Sequence, residues 1–294
     1  MAGGNKIHFV KLHGMGNDWI VASSRGLPRG LPDFARAVLE RHTGVGADGL
    51  IPVFPARNRR HDARIRFFNA DGSEAEMSGN GIRCAGAFLK WRGAKKRVLK
   101  IETMAGVRSL ETVDERKGQW TFQVGMGPPI LDPGAIPFRG SGTEAPVRGF
   151  LLPTTRGPLP VTVTSLGNPH CTVFVEDLHA QDWAVLGREI ETSESFPNRT
   201  NVEFVKVVSK DEIEVRFWER GVGHTMSSGT GSCAAVVASI LNGVTGREVR
   251  VRTEAGDMFV AWPENGEVQL TGPVILIAEG VYFYSPGQRA GGSH

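Results

Sequence analysis

A short glycine-containing stretch occurs twice in this 294-residue chain, and the repeat strongly constrains how the chain can fold. The first copy runs from Met77 to Ala87 (MSGNGIRCAGA) and the second from Ser227 to Val236 (SSGTGSCAAV). Each copy places a serine, a Gly-x-Gly loop and a Cys-Ala pair ahead of an apolar run. A helix N-terminus has unsatisfied N–H groups and a partial positive charge, so it attracts anions. One copy alone is typical of an ordinary serine N-cap. Two copies predict similar halves that face one another across a small anionic ligand.

The order of the predicted elements agrees with this duplication. Strands precede and follow each copy, and the apolar spacing predicts helices over 81–91 and 231–242. Two shorter helices are predicted at 33–42 and 183–190. The stretch 128–160 is rich in proline, which is typical of a domain connection with edge strands. We therefore predict an α+β fold of two pseudo-symmetric domains, each a sheet wrapped around a central helix.

The predicted N-terminal half comprises residues 6–130 together with 280–290, and the predicted C-terminal half comprises residues 131–279. The active site is expected in the cleft between them. Short separate strands are predicted near the C-terminus at 267–271 and 281–284.

Composition excludes several classes of protein. The formal net charge of +3 is spread along the chain without a dense basic stripe, so we expect no nucleic-acid partner. There is no apolar run long enough for a membrane span and no signal peptide, so no membrane partner is expected. Cys84, Cys171 and Cys233 are an odd number without metal-ligand spacing. This pattern favours a reducing cytoplasm without disulfides or a bound metal.

Six motifs resemble the diaminopimelate epimerase family, and they follow the family's order over nearly the whole chain. They are KLHGMGND at 11–18, RHTGVGAD at 41–48, NADGSE at 69–74, GNPHC at 167–171, RTN at 199–201 and ERGVG at 219–223. The resemblance implies an isomerase that inverts an amino-acid α-carbon with two cysteines on opposite faces. It also implies that no pyridoxal phosphate or other cofactor is used, that the partner is a small amino-acid substrate, and that a homodimer is possible.

The chain departs from the family where the two catalytic cysteines belong. Those positions are Ser78 and Ser228 here. Inversion through a carbanion needs a base on one face and an acid on the other, and thiols near a helix N-terminus suit both roles. An unactivated serine hydroxyl is a very poor base. We therefore expect this chain to be inactive or nearly inactive as an epimerase. Cys84 and Cys233 lie further into the helices and are interpreted as buried packing.

Two origins of the serines remain open. One is a replacement of cysteine by serine that traps a bound substrate, which we favour because the surrounding motifs agree with the family. The other is a natural serine form with different chemistry or none. A non-catalytic amino-acid-binding protein, which kept the helix N-termini and lost the bases, is the alternative from another functional class.

The resemblance also assigns roles to individual residues. It places His170 and Glu219 with Ser78 and Ser228 in the catalytic group. The expected substrate-binding residues are polar side chains and glycines of the matching motifs: Asn17, Asn69, Gly79, Asn80, Asn168, Asn201, Arg220, Gly229 and Thr230.

Two positions differ from the family in ways that concern the substrate. Gly49 stands where the family usually has glutamine, and His224 stands where it usually has an acidic residue. The expected reaction is the interconversion of LL- and meso-diaminopimelate. Gly49 and His224 leave open a different amino acid, such as histidine.

Overall fold

The computed structural model describes residues 5–140, 144–179, 182–264 and 266–285. The chain divides into two compact units: the first consists of the residues up to Val124 and from Gly272 onward, and the second of Gly125–Thr271. Residues 286–290 of the predicted N-terminal half lie outside the described residues, as do 141–143, 180, 181 and 265 of the predicted C-terminal half.

The first unit contains two helices and the nine strands of the N-terminal part of the chain, the last of which extends into the second unit. They are β1 (Asn5–Gly14), β2 (Asn17–Ser23), α1 (Leu31–Leu39), β3 (Gly49–Phe54), β4 (Ala63–Ile65), β5 (Phe67–Asn69), β6 (Glu74–Ala75), α2 (Gly79–Trp91), β7 (Val98–Thr103), β8 (Gly106–Arg116) and β9 (Gln119–Gly127).

The remaining elements belong to the second unit, except that the last strand enters the first unit at Gly272. They are β10 (Phe150–Leu152), β11 (Leu159–Ser165), β12 (Pro169–Phe174), α3 (Trp183–Glu191), β13 (Asn201–Val207), β14 (Glu212–Glu219), β15 (Gly223–Thr225), α4 (Gly229–Leu241), β16 (Glu248–Thr253), β17 (Gly256–Ala261) and β18 (Val268–Tyr284).

The strands of the two units pair in the same order. In the first unit β1–β2 is antiparallel, β2–β3 parallel, β3–β4 antiparallel, β4–β7 parallel and β7–β8 antiparallel. In the second unit the corresponding pairs are β11–β12, β12–β13, β13–β14, β14–β16 and β16–β17, with the same alternation of direction. The predicted α+β fold with two related halves is confirmed.

Each unit buries one helix almost completely. Residues 79–88 of α2 are buried, and so are Gly229 and residues 231–239 of α4. The shorter helices pack elsewhere on the sheets, where α1 joins the cluster around Phe34 and α3 the cluster around Phe204. All four helices were predicted within a few residues of their ends.

One part of the strand prediction is wrong. The strands expected at 267–271 and 281–284 are parts of a single strand, β18, which continues through residues 272–280. The pairing partners account for the continuity, because β1 pairs with β18 from Ile275 to Tyr284 and β9 pairs with β18 as well. Within the described residues, no helix is long and apolar enough to cross a membrane.

Glycines in the first turns let α2 and α4 approach aromatic side chains of the strands. A Cβ at Gly81 would lie 2.7 Å from the ring of Phe67 on β5. A Cβ at Gly231 would lie 2.9 Å from the ring of Phe217 on β14 and 3.0 Å from a carboxylate oxygen of Glu203. Since these distances are too short for carbon contacts, the third residue of each helix must be glycine for this packing.

We expect Gly81→Ala and Gly231→Ala each to lower the free energy of unfolding by about 1–3 kcal/mol through overpacking. This loss should occur although alanine is a better helix former than glycine. Urea denaturation measures it. Gly246→Ala is the control, because its Cβ would have no neighbour closer than 3.5 Å, and it should stay within about 0.5 kcal/mol of the parent. Full stability of Gly81→Ala and Gly231→Ala would contradict the packing argument.

Candidate active site

Ser78 is the N-cap of α2. Its backbone is extended (φ −141°, ψ 123°), and its Oγ accepts a hydrogen bond from the N–H of Gly81 at 3.0 Å. Gly79 and Asn80 form the first turn, where helical N–H groups have no acceptor within the helix. The side chain of Asn80 points into the protein, and its Oδ1 accepts a hydrogen bond from the buried Arg83 guanidinium at 2.6 Å.

Ser228 is the N-cap of α4 in nearly the same conformation (φ −137°, ψ 127°), and its Oγ accepts from the N–H of Gly231 at 3.3 Å. Its side chain lies close to Glu219, whose Oε1 accepts a hydrogen bond from Thr225 at 2.6 Å. Burial raises the pKa of Glu219, and the hydrogen bond from Thr225 opposes the shift. The predicted catalytic residues Ser228 and Glu219 are therefore neighbours.

His170 lies on β12 and is completely buried. Its Nδ1 lies 2.6 Å from Oε1 of Glu203, and its Nε2 lies 3.0 Å from Oδ1 of Asn168. Asn168 Nδ2 makes a long hydrogen bond of 3.5 Å to Oγ1 of Thr230, in the first turn of α4 beside Gly229. Burial raises the pKa of Glu203, and the charge and hydrogen bond of His170 oppose the shift.

Asn17 is held at both ends of its amide group. Trp19 donates its indole N–H to Asn17 Oδ1 at 2.6 Å, and Asn17 Nδ2 donates to Asp48 at 2.9 Å. Arg41 contacts the other oxygen of Asp48 at 2.7 Å. Burial raises the pKa of Asp48, opposed by its hydrogen bond from the backbone of Asp18. These contacts fix the orientation of the Asn17 amide, with Oδ1 towards Trp19 and Nδ2 towards Asp48.

Arg220 lies in an exposed turn whose backbone is well anchored. Asn201 accepts a hydrogen bond from the Arg220 N–H at 3.0 Å and donates one to the carbonyl of Pro169 at 2.9 Å. The buried carboxylate of Glu191 accepts from the N–H of Gly221 at 2.9 Å. The Arg220 guanidinium contacts the carbonyl of Asn198 at 3.2 Å and is otherwise exposed.

Gly49 and Asn69 are paired across β3 and β5. A Cβ at Gly49 would overlap the six-membered ring of Trp19, so the indole fills the space that a side chain at position 49 would occupy. The amide of Asn69 bonds within its own turn, where Nδ2 donates to Oγ of Ser73 at 2.9 Å.

His224 lies on β15 next to Thr225. Its Nε2 is 2.5 Å from a carboxylate oxygen of Glu254, and its ring packs edge-on against Trp183 with centroids 4.8 Å apart. Successive side chains of a strand point to opposite faces, and Thr225 is the neighbour that contacts Glu219. A role of His224 in substrate choice stays a prediction.

The three cysteines are buried, and none of them forms a disulfide bond. Burial raises the pKa of the Cys84 thiol to about 12 and raises that of Cys171 well above its ordinary value. These two thiols therefore stay protonated at neutral pH, as expected for packing residues. Across the described ranges, no cluster of three or more histidine, cysteine or acidic side chains could hold a metal ion.

Three residues of these networks were not singled out from the sequence: Glu203, Asp48 and Trp19. Glu203 had a signal, since it is a lone carboxylate in the apolar run Val202–Val205 of β13. Buried carboxylates are rare unless paired, so such a residue predicts a partner. Asp48 and Trp19 had no comparable signal, because an aspartate in a glycine loop and an aromatic residue in a strand are both ordinary.

We expect Gly49→Ala to lower the free energy of unfolding by about 1–3 kcal/mol, because its Cβ collides with Trp19. In a Trp19→Leu background the same change should cost at least about 1 kcal/mol less, since the collision is gone. Chemical denaturation of the two single variants and the double variant measures this coupling. Additive effects of the two substitutions would contradict the contact.

Comparison with known proteins gives matches over most of the chain. A family profile described as diaminopimelate epimerase matches residues 9–131 and 162–277. A diaminopimelate epimerase of Pelotomaculum thermopropionicum is 45% identical over 282 residues, covering 95% of this chain and 99% of the relative. That of Desulfitobacterium hafniense is 42% identical over 283 residues, covering 94% and 98%.

Solved structures share the fold at low sequence identity. A hydroxyproline epimerase from Agrobacterium vitis superposes with a TM-score of 0.68 at 17% identity, covering 96% of this chain and 94% of that structure. A methylitaconate-delta-isomerase superposes with a TM-score of 0.66 at 17% identity, covering both chains completely. The duplicated fold and the extent of the sequence match lead to one conclusion: the chain belongs to the diaminopimelate epimerase family.

Proposed function

We propose that this chain binds diaminopimelate at the N-termini of α2 and α4 and inverts its α-carbon extremely slowly or not at all. The family gives the reaction class, which is the epimerisation of an amino acid. The observation that carries the proposal is the pair of serine N-caps: Ser78 and Ser228 have the same conformation and the same capping contact in the two units.

The chemistry of the two positions supports the loss of catalysis. Inversion requires one group that removes the α-proton and another that returns a proton on the opposite face. A thiol has a pKa of about 8.5, which falls at a helix N-terminus, whereas a serine hydroxyl holds its proton far more strongly. Ser228 Oγ accepts a hydrogen bond from the N–H of Gly231, so its lone pair is engaged as a helix cap. The helix N-termini retain their positive ends, so binding of the substrate anion is preserved.

The substrate proposal rests on the relatives and on Arg220. The relatives are named diaminopimelate epimerases, and Arg220 lies in the ERGVG stretch that resembles a motif of that family. Its exposed guanidinium, on a turn fixed by Asn201 and Glu191, is suited to a charge-assisted pair with a distal carboxylate. Diaminopimelate carries such a carboxylate and most other amino acids do not.

A non-catalytic amino-acid-binding protein is the second candidate. The observation that favours it is that both serines are engaged as helix caps and therefore serve the fold without any acid–base role. In that case, the helix N-termini would hold a ligand whose stereochemistry never changes.

Restoring the thiols separates these functions. We expect Ser78→Cys combined with Ser228→Cys to raise the rate of α-proton exchange of LL-diaminopimelate in deuterated water by at least about 100-fold over the parent, as measured by NMR. Each single variant should epimerise far more slowly than the double variant, because inversion needs both groups. Adding Cys84→Ala to the double variant removes a buried thiol as a matched control and should leave the rate within about threefold. Fast exchange by the parent would contradict the proposal, and an inactive but folded double variant would favour the non-catalytic protein.

Arg220 tests the substrate. Arg220→Ala should weaken diaminopimelate binding by more than about tenfold, because the distal carboxylate loses its partner. Binding of histidine, which lacks that carboxylate, should change little. Arg247→Ala removes another partly exposed arginine of the second unit and is the matched control in the same calorimetric titrations. Tight binding of histidine with undetectable binding of diaminopimelate would overturn the substrate proposal and leave the family assignment intact.

A further inference from the structure

The sheet of the second unit has a polar side that is buried. Along β12 and β13 the side chains alternate, and Cys171, Val173, Val202 and Phe204 belong to the apolar cluster that includes α3. On the other side lie His170, Thr172 and Glu203, all at most 1% exposed. Glu203 lies directly beneath the first turn of α4, since a Cβ at Gly231 would be 3.0 Å from its Oε1. A carboxylate in that position is costly unless it has a specific partner.

The partner of Glu203 is His170, and the contacts continue to the start of α4. Glu203 Oε1 and His170 Nδ1 are 2.6 Å apart, His170 Nε2 and Asn168 Oδ1 are 3.0 Å apart, and Asn168 Nδ2 reaches Thr230. His170 is 0% exposed, and both of its ring nitrogens are engaged within the protein. The chain of contacts therefore begins at a buried carboxylate and ends at a side chain beside the helix N-terminus.

The chemistry of these atoms restricts where the protons lie. An amide oxygen accepts hydrogen bonds and cannot donate them, so His170 Nε2 must carry a proton to contact Asn168 Oδ1. Nδ1 can then donate to the Glu203 carboxylate or accept from the protonated acid, and Nε2–H is present in both cases. Without Glu203, the neutral ring could place its single proton on Nδ1, and the Asn168 amide could turn round to donate to Nε2.

We propose that Glu203 is a positioning residue: acting through His170, it fixes the orientation of the Asn168 amide so that Nδ2 donates to a carboxylate bound at the N-terminus of α4. The Asn168 amide would thereby supply one more hydrogen-bond donor to the bound carboxylate, besides the N–H groups in the first turn of α4. In this arrangement, His170 orients a ligand-binding side chain and does not itself contact the ligand. The identity of the carboxylate ligand rests on the proposed function, whereas the orientation of the amide does not.

A double-mutant cycle tests whether Glu203 affects ligand binding through Asn168. With meso-diaminopimelate as the calorimetric probe, Glu203→Leu and Asn168→Ala should each weaken binding by about tenfold, the effect of losing one hydrogen bond to a charged group. The double variant should bind within about twofold of Asn168→Ala, because Glu203 has nothing left to orient. Glu203→Gln should bind within about threefold of the parent, since the carboxamide can still bond to Nδ1. Ser239→Ala removes an unrelated buried hydroxyl of α4 as a control and should leave binding unchanged. Additive losses in the double variant would overturn the proposal.

Nitrogen NMR of ¹⁵N-histidine-labelled protein tests the orientation without any ligand. His170 Nε2 should be protonated in the parent and in Glu203→Gln, and its tautomer should change in Glu203→Leu. An unprotonated Nε2 in the parent would overturn the proposal, whatever the protein binds. A protonated Nε2 that depends on Glu203, in a protein that binds no diaminopimelate, would support the positioning role while the substrate proposal fails. If Glu203→Leu does not fold, Glu203→Met, which likewise cannot bond to Nδ1, replaces it in the same comparison, and an unchanged tautomer in that variant would overturn the proposal.

Discussion

Burying the N-terminus of a helix is the physical constraint on which each unit depends. The first N–H groups of a helix have no acceptor inside it, and leaving them unpaired away from water is unfavourable. Ser78 and Ser228 each satisfy one of these groups, and Gly81 and Gly231 let the helices approach the strands closely enough to be buried. The other first-turn groups remain suited to an anion. The proposed anion site would therefore follow from the way in which α2 and α4 are packed.

The two helix ends use the same backbone geometry in opposite electrostatic surroundings. The first turn of α2 adjoins the buried guanidinium of Arg83, whose hydrogen bond turns Asn80 inward. The first turn of α4 adjoins Glu203 and Glu219, and burial raises the pKa of both carboxyl groups. A duplicated fold has thus placed a cation near one N-cap and two acids near the other. Such a difference suits a reaction in which one group gives up a proton while the other accepts one.

The amino-acid sequence predicted the elements that depend on local pattern. Periodicity and the Ser-Gly-x-Gly spacing predict helices at 81–91 and 231–242, and the observed helices at 79–91 and 229–241 begin one turn earlier or less, directly after their serine caps. The continuity of β18 was missed, because it depends on pairing with β1 along Ile275–Tyr284, which the local sequence does not reveal. The contacts of Glu203 with His170 and of Trp19 with Asn17 were also missed. Glu203 and His170 lie on neighbouring strands, and their contact depends on strand register, which residue spacing alone does not determine. Trp19 and Asn17 lie two residues apart on β2, but that spacing occurs along every strand and does not by itself predict a hydrogen bond.

The single long strand β18 has a consequence for the order in which the chain folds. Its final residues complete the first unit by pairing with β1, and the register joins Asn5 with Tyr284. All of Gly125–Thr271 is synthesised before those residues, so the second unit is complete in sequence while the first still lacks a strand. Pairing between such distant segments is slow, and β1 has an unpaired edge until it occurs. The pairing of β1 therefore becomes complete only after β18 has been synthesised.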